Sequence, residues 1–284
     1  MTGFGFRNLK VFFKDKSAVF FSLIAVFIII GLYVLFLGDV WTESLGELPG
    51  VRALMDNWIM AGLLAVTSVT TTMGAYGTMV QDREKKLVKD FKASPVSSHS
   101  IVGGYIVGAV VIGVMMSLIT LILAELYILS GGGGLLPAMA ALKVLGLIPV
   151  TTLCNSAIVL FIVSFFRSSN AFATASTIIG TVIGFLTGIY LPVGQLPAGV
   201  QWAVKLFPVS HGAALFRRVM MEGPLETSFA GAPAEAVTEF QDMMGVTIRF
   251  GDAEIGTAAS LMILLATAAV FYALAIWKLS RKSG

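Results

Sequence analysis

Residues 168–204 read SSNAFATASTIIGTVIGFLTGIYLPVGQLPAGVQWAV, 37 positions without an Asp, Glu, Lys or Arg. A helix rises 1.5 Å per residue and needs about 20 apolar residues to cross the roughly 30 Å hydrocarbon layer of a bilayer. The run is therefore too long for one span, and Pro192 and Pro197 interrupt it. It reads as a span over 169–191, followed by chain that stays near membrane depth without crossing. Pro197 suits the first turn of a helix and Pro208 stops it, which leaves a helix of about 11 residues, roughly 16 Å long. Ser210 is a plausible N-cap for a second short helix ending near Met221, with Arg217 and Arg218 where cations favour the dipole. Two such helices predict a re-entrant hairpin over 192–221, dipping in from outside, with Pro192, Leu196, Pro197, Pro208, His211 and Arg217 along it.

Outward from this stretch, charge-free runs predict further spans at about 17–38, 57–81, 98–128, 144–166 and 255–277. The chain is read as an all-α polytopic membrane protein with six transmembrane helices in one domain, 1–284. Of the 284 residues 57% are hydrophobic and 12% charged, with mean hydropathy +0.90; soluble domains carry about 25% charge. An ordinary soluble enzyme is excluded. A lone Cys154 excludes an internal disulfide framework. Thirteen of the 19 Lys and Arg fall in the N-terminus, the second and fourth connections and the C-terminus, whereas 12 of the 16 acids lie on the other side. By the positive-inside rule both termini face the cytoplasm of a cell-membrane protein. The net charge of +3 follows this sidedness and implies no nucleic-acid partner.

Between the spans, Phe6, Leu9 and Phe13 alternate with Arg7, Lys10 and Lys14, which predicts an amphipathic helix over 3–16 lying at the lipid interface, or a basic flank that sets topology. The second connection, from Gln81 to Pro95, is the most charged segment. Asp82 and Lys86, then Lys86 and Asp90, stand four apart, Leu87, Val88 and Phe91 share a face, and Pro95 ends the pattern. A short cytoplasmic helix over 82–93 is expected, docking on another protein. Residues 222–254 hold seven acids against Arg249 alone and read as a small extracytoplasmic cap, helical over Ala234 to Met244 with a short strand over Val246 to Phe250.

Catalytic patterns are missing: there is no Gly-x-Ser, Walker A or H-E-x-x-H, and no carboxylate pair within a span. His99 and His211 are isolated and read as hydrogen-bonding residues at the interface. Thr67 and Thr71 in the second span, with Thr174, Thr177 and Thr181 in the fifth, form stripes at helical spacing. Such stripes mean close helix packing or a mildly polar, uncharged pathway wall.

The order of parts resembles the membrane permeases of type-2 ATP-binding-cassette (ABC) exporters. One motif is Arg83-Glu84, closing in Ala93-Ser94-Pro95-Val96 before Gly103-Gly104-Tyr105; the other is Tyr190 to Pro197, then Leu206-Phe207-Pro208 and Ala214 to Arg218. Lys85-Lys86-Leu87 departs from the Gly-Thr-Leu turn of many members. The resemblance implies a dimer with a second copy or paralogue and docking of each cytoplasmic connection on a separate ATPase subunit. Arg83, Glu84, Leu87, Val88 and Phe91 would carry that contact, and the hairpin would close the outer end. No cofactor is then expected on this chain, since ATP and Mg would sit on the ATPase. The uncharged spans and small cap point to a hydrophobic or amphipathic substrate: a drug, antibiotic, lipid or lipid-linked glycan. The competing function is an ion-coupled secondary transporter, which internal repeats and midplane charges would support; neither is present in the sequence.

Overall fold

The computed structural model describes residues 2–33, 35, 45, 48–87, 90–91 and 97–281. Helices α1 (Thr2–Lys14) and α2 (Lys16–Leu32) meet at a bend of 76°. There follow α3 (Val51–Glu84), α4 (Ser98–Ser130), α5 (Ala138–Val163) and α6 (Ser169–Leu186). A 3-10 turn at Val193–Gln195 leads into α7 (Ala198–Leu206), α8 (Pro208–Met220), α9 (Glu222–Ser228) and α10 (Ala234–Met244). Strands β1 (Arg249–Phe250) and β2 (Ala253–Glu254) pair antiparallel before α11 (Thr257–Arg281). Five of these helices, α3 to α6 and α11, are long and apolar enough to cross a bilayer, or six with the bent α1–α2 pair.

The bundle is built around α3, which packs on α2, α4, α5, α6 and α8. Leu54, Trp58, Leu63, Leu64 and Tyr76 are fully buried on it. Its contacts with α5 contain a polar thread: Asn155 Nδ2 donates to Ser68 Oγ at 2.6 Å, and the Tyr76 and Ser156 hydroxyls share a bond of 2.9 Å. Such bonds matter in a core that lipid cannot satisfy. The approach of α4 depends on Gly113, where a Cβ would fall 2.6 Å from the Thr152 methyl and 2.9 Å from that of Thr72. Most side chains facing away from the bundle are apolar: Ile122 and Leu126 on α4, Ile178 and Val182 on α6, Met262 and Val270 on α11 are exposed.

Several boundaries differ from the sequence reading. The first expected span is described as α2 with positions 33 and 35 beyond it; positions 34 and 36–38 lie outside the described residues. The second runs past both expected ends, 57 and 81, because its terminal charges have partners: Arg52 approaches Asp56 at 3.8 Å, and Asp82 is held by Arg7. Asp82, Arg83 and Glu84 thus form the last turn of α3 rather than the start of a separate helix over 82–93. The break falls at Lys86, with φ 60, and Leu87, Asp90 and Phe91 are helical beyond it. α5 starts at Ala138, which takes Lys143 inside the helix. α6 stops at Leu186, where Gly188 takes φ 66 and Tyr190 folds back over Gly184. Pro208 opens α8 instead of ending α7; lacking an N–H, it costs nothing there. Ser210 is not a cap, since its hydroxyl donates to the Leu186 carbonyl at 2.6 Å. In the 222–254 segment α10 coincides with the expected helix, while α9 and the second strand carried no recognisable period.

Candidate functional site

The chain gathers its polar side chains at two ends of the bundle and along one cleft. At the end holding α1, the Asp82 carboxylate is 4% exposed and receives a bidentate fork from Arg7, Nη1 at 2.7 Å and Nη2 at 2.9 Å. The Tyr105 hydroxyl donates to the same carboxylate at 2.5 Å. α1 reaches this position by lying on α4 at Gly104 and Gly108: a Cβ at Gly104 would sit 2.8 Å from Phe4 Cδ1, and one at Gly108 3.0 Å from Asn8 Cβ. Asn8 also donates to the Gly104 carbonyl at 3.3 Å. Phe4 packs edge-on against Phe91 at 5.2 Å and Tyr105 at 5.1 Å, and the Arg7 guanidinium lies 5.1 Å from the Phe91 ring centroid.

The next two residues tie this knot to another connection. Arg83 Nη1 donates to the Val163 and Phe166 carbonyls at 3.3 and 3.4 Å, which places a cation on the last turn of α5. Glu84 accepts from the Ser169 hydroxyl at the start of α6. Arg83 and Glu84, expected to face a partner, therefore engage their own chain, and part of the Phe91 ring is covered by α1. Leu87 is half-buried; Val88 and the Ala93-Ser94-Pro95-Val96 motif lie outside the described residues. Arg7, Asp82 and Tyr105 were not singled out in the sequence as a site, because positions 7, 82 and 105 are joined by folding alone. The spacing of Gly104 and Gly108 was the one legible signal, a small-x-x-x-small pair that lets helices approach.

A cleft of 740 Å³ opens between α2, α3 and α6. Ser22, Thr70, Gln81, Asn170, Ser176 and Thr177 give its wall hydroxyls and amides, Phe21, Met73 and Phe172 give it apolar area, and no charged residue among the described residues lines it. Of the threonines expected on a pathway, Thr177 lines this cleft. Thr174 and Thr181 are exposed on α6 with it, each bonding to a carbonyl four residues back. Thr67 and Thr71 are fully buried and bond to Leu63 and Thr67 carbonyls, with Thr71 turned towards Gly113 on α4. The cleft-facing member on α3 is Thr70.

At the opposite end α8 is driven among α3, α5 and α11, whereas α7 lies on the rim with Trp202 and Leu206 exposed. Val193, Leu196 and Val204 form a separate small apolar cluster against Leu186, with Pro192 and Pro197 immediately before the two helical turns that carry them. His211 contacts the Ser260 hydroxyl at 3.3 Å and the Lys205 carbonyl at 3.0 Å, joining α8 to α11 and to the end of α7. Arg217 is fully buried with its guanidinium 4.8 Å from the Trp58 ring centroid, and Trp58 Nε1 donates to the Met244 carbonyl at 2.7 Å. No group of His, Cys, Asp or Glu among the described residues could hold a metal ion.

Residues 51–277 match the family described as ABC-2 family transporter protein. Nodulation protein J of Rhizobium meliloti (strain 1021) is 24% identical over 196 residues, covering 68% of this chain and 72% of that protein. Nodulation protein J of Rhizobium leguminosarum bv. trifolii is 31% identical over 87 residues, covering 31% of this chain and 33% of that one.

Proposed function

The chain belongs to the ABC-2 transporter family, and from that membership we propose that it is the permease subunit of an ATP-driven exporter for a hydrophobic or amphipathic substrate. The observation that carries this reading is the uncharged cleft between α2, α3 and α6. Its hydroxyl and amide wall suits a substrate with a polar portion, and the lack of carboxylates among the described residues that line it removes the usual proton or cation relay of secondary transport. The side of α6 away from α3 is exposed through Thr174, Ile178, Thr181 and Val182. A second copy or paralogue placed against α2 and α6 would close two clefts into one pathway.

ATP and Mg would be held by a separate ATPase subunit under the end that carries α1, both termini being cytoplasmic. α1 would lie along the interface, and the α1–α2 pair would count as the first of six spans. A push delivered near Leu87 and Phe91 would reach α1 through Phe4 and Arg7, and the α5–α6 connection through Arg83 and Glu84. The α7–α8 pair, with helices of 9 and 13 residues, or about 14 and 20 Å, is too short to cross and would act as a re-entrant gate. The decisive experiment is reconstitution in sealed vesicles with the cognate ATPase subunit. ATP should drive uptake of a fluorescent amphiphile into inverted vesicles, and vanadate should stop it. Uptake driven by an imposed proton or sodium gradient without ATP would overturn the reading.

A further inference from the structure

Arg217 is 1% exposed, yet no carboxylate among the described residues comes within ion-pair distance of it. Its Nη2 donates to the Gly188 carbonyl at 3.2 Å, Trp58 offers a ring face, and Nε is without a partner. A buried cation held by one carbonyl and one aromatic ring is only partly compensated for leaving water. The same residue borders a cavity of 490 Å³ enclosed by α7, α8, α10 and the chain around β1. Gly245, also on the cavity wall, has φ 67, and a Cβ there would stand 3.1 Å from Arg217 Nη1. With no side chain at Gly245, that edge of the guanidinium lies at the cavity wall.

The remaining polar groups of the wall are mostly taken. Asp242 is paired with Arg249 at 3.0 Å and accepts from Thr247. The hydroxyls of Thr187 and Ser210 and the amide of Gln201 donate to backbone carbonyls. Arg217 and Lys205 share the wall with one further acid, Glu239. A planar fork and a lysine on the wall of one pocket are the donor set that oxyanions select. We infer that this cavity binds a phosphate- or sulfate-type oxyanion, with Arg217 as its principal donor and Lys205 as a second cation. The volume exceeds what an inorganic anion fills, which fits the head of an anionic amphiphile held at the cap end before release. This deepens the exporter reading and rests on it for the origin of the ligand, not for the binding itself.

The test uses the full chain in dodecyl maltoside, which is neutral and free of phosphate, with Trp41, Trp202 and Trp277 changed to Phe so that Trp58 reports alone. Dodecyl phosphate and sodium phosphate are titrated at constant ionic strength against chloride. A saturable change in Trp58 emission is expected. It should weaken at least tenfold, about 1.4 kcal/mol, in Arg217→Gln, about threefold in Lys205→Gln, and not at all in the remote Lys16→Gln. Tighter binding of the dodecyl ester assigns an amphiphile head; equal binding of inorganic phosphate assigns a free anion, and either supports the site. The absence of a saturable response, or equal affinity in both cavity variants, overturns it. If Arg217→Gln fails to run as a monodisperse peak, unchanged affinity in Lys205→Gln overturns it alone. Loss of ATP-driven transport with this binding intact would count against the exporter reading and leave the site standing.

Discussion

Replacing Asp82 by Asn should undock α1. The carboxylate is almost wholly buried and the Arg7 side chain is 31% exposed, so the pair lies between a surface ion pair, at about 0–1 kcal/mol, and a buried one, at about 3–5 kcal/mol for removal of one partner. Asn keeps one acceptor oxygen for Arg7 or Tyr105 and loses the charge, which sets the cost near 2 kcal/mol. That corresponds to roughly thirtyfold in the equilibrium between docked and undocked α1. The contacts of Phe4 with Phe91 and Tyr105 remain, so the helix is loosened rather than lost. Hydrogen exchange of the α1 amides reads this opening directly and should accelerate by about thirtyfold, while α3 and α5 amides hold their protection. Arg7→Gln should be worse, because it leaves a buried carboxylate with only a tyrosine, and the double variant Arg7→Gln/Asp82→Asn should be milder than Arg7→Gln alone. Exchange of α1 in Asp82→Asn within threefold of the parent, or a double variant worse than either single one, would refute the reasoning.

Gly113→Ala places a methyl against Thr152 and Thr72 and should cost about 1–3 kcal/mol, read as a lower melting temperature in detergent. Gly104→Ala meets Phe4 in the same manner and should raise α1 exchange without lowering the melting temperature of the bundle as much. Thr177→Phe should obstruct the cleft and reduce transport severalfold with the ATPase subunit still bound, whereas Thr71→Val, at a hydroxyl spent on its own helix, should leave transport unchanged. Trp58→Phe removes the bond to Met244 and the better of the ring faces for Arg217; a loss of about 1–2 kcal/mol should show as faster proteolysis within 222–254.

The helices were legible because charge-free runs mark segments that lipid or core must surround. Their limits were less so, since a charge ends a run in the sequence but not in the structure once it finds a partner, as Asp56 and Asp82 do. Facing was not legible on α2, where Leu23, Val26 and Ile29 are buried and Phe20, Phe27 and Ile28 are exposed, because both faces are apolar. It was also illegible on α3, a helix buried on nearly every side. There no period distinguishes Thr70, on the cleft, from Thr67 and Thr71, in the packing. The Arg7–Asp82–Tyr105 knot and the meeting of Arg217 with Trp58 join residues far apart in the chain, which no local pattern encodes.

The threonines on α6 have a consequence for how such a transporter is put together. Thr174, Thr177 and Thr181 each bond within their own helix at 3.1 Å, so the face they occupy carries no unsatisfied hydroxyl into lipid. In the dimer proposed above, a newly inserted chain could therefore wait in the bilayer without its mate, and assembly would follow biogenesis instead of having to accompany it. A mate docking there would meet threonines beside Ile178 and Val182, and the encounter would be selected by shape and not by the rescue of stranded polar groups.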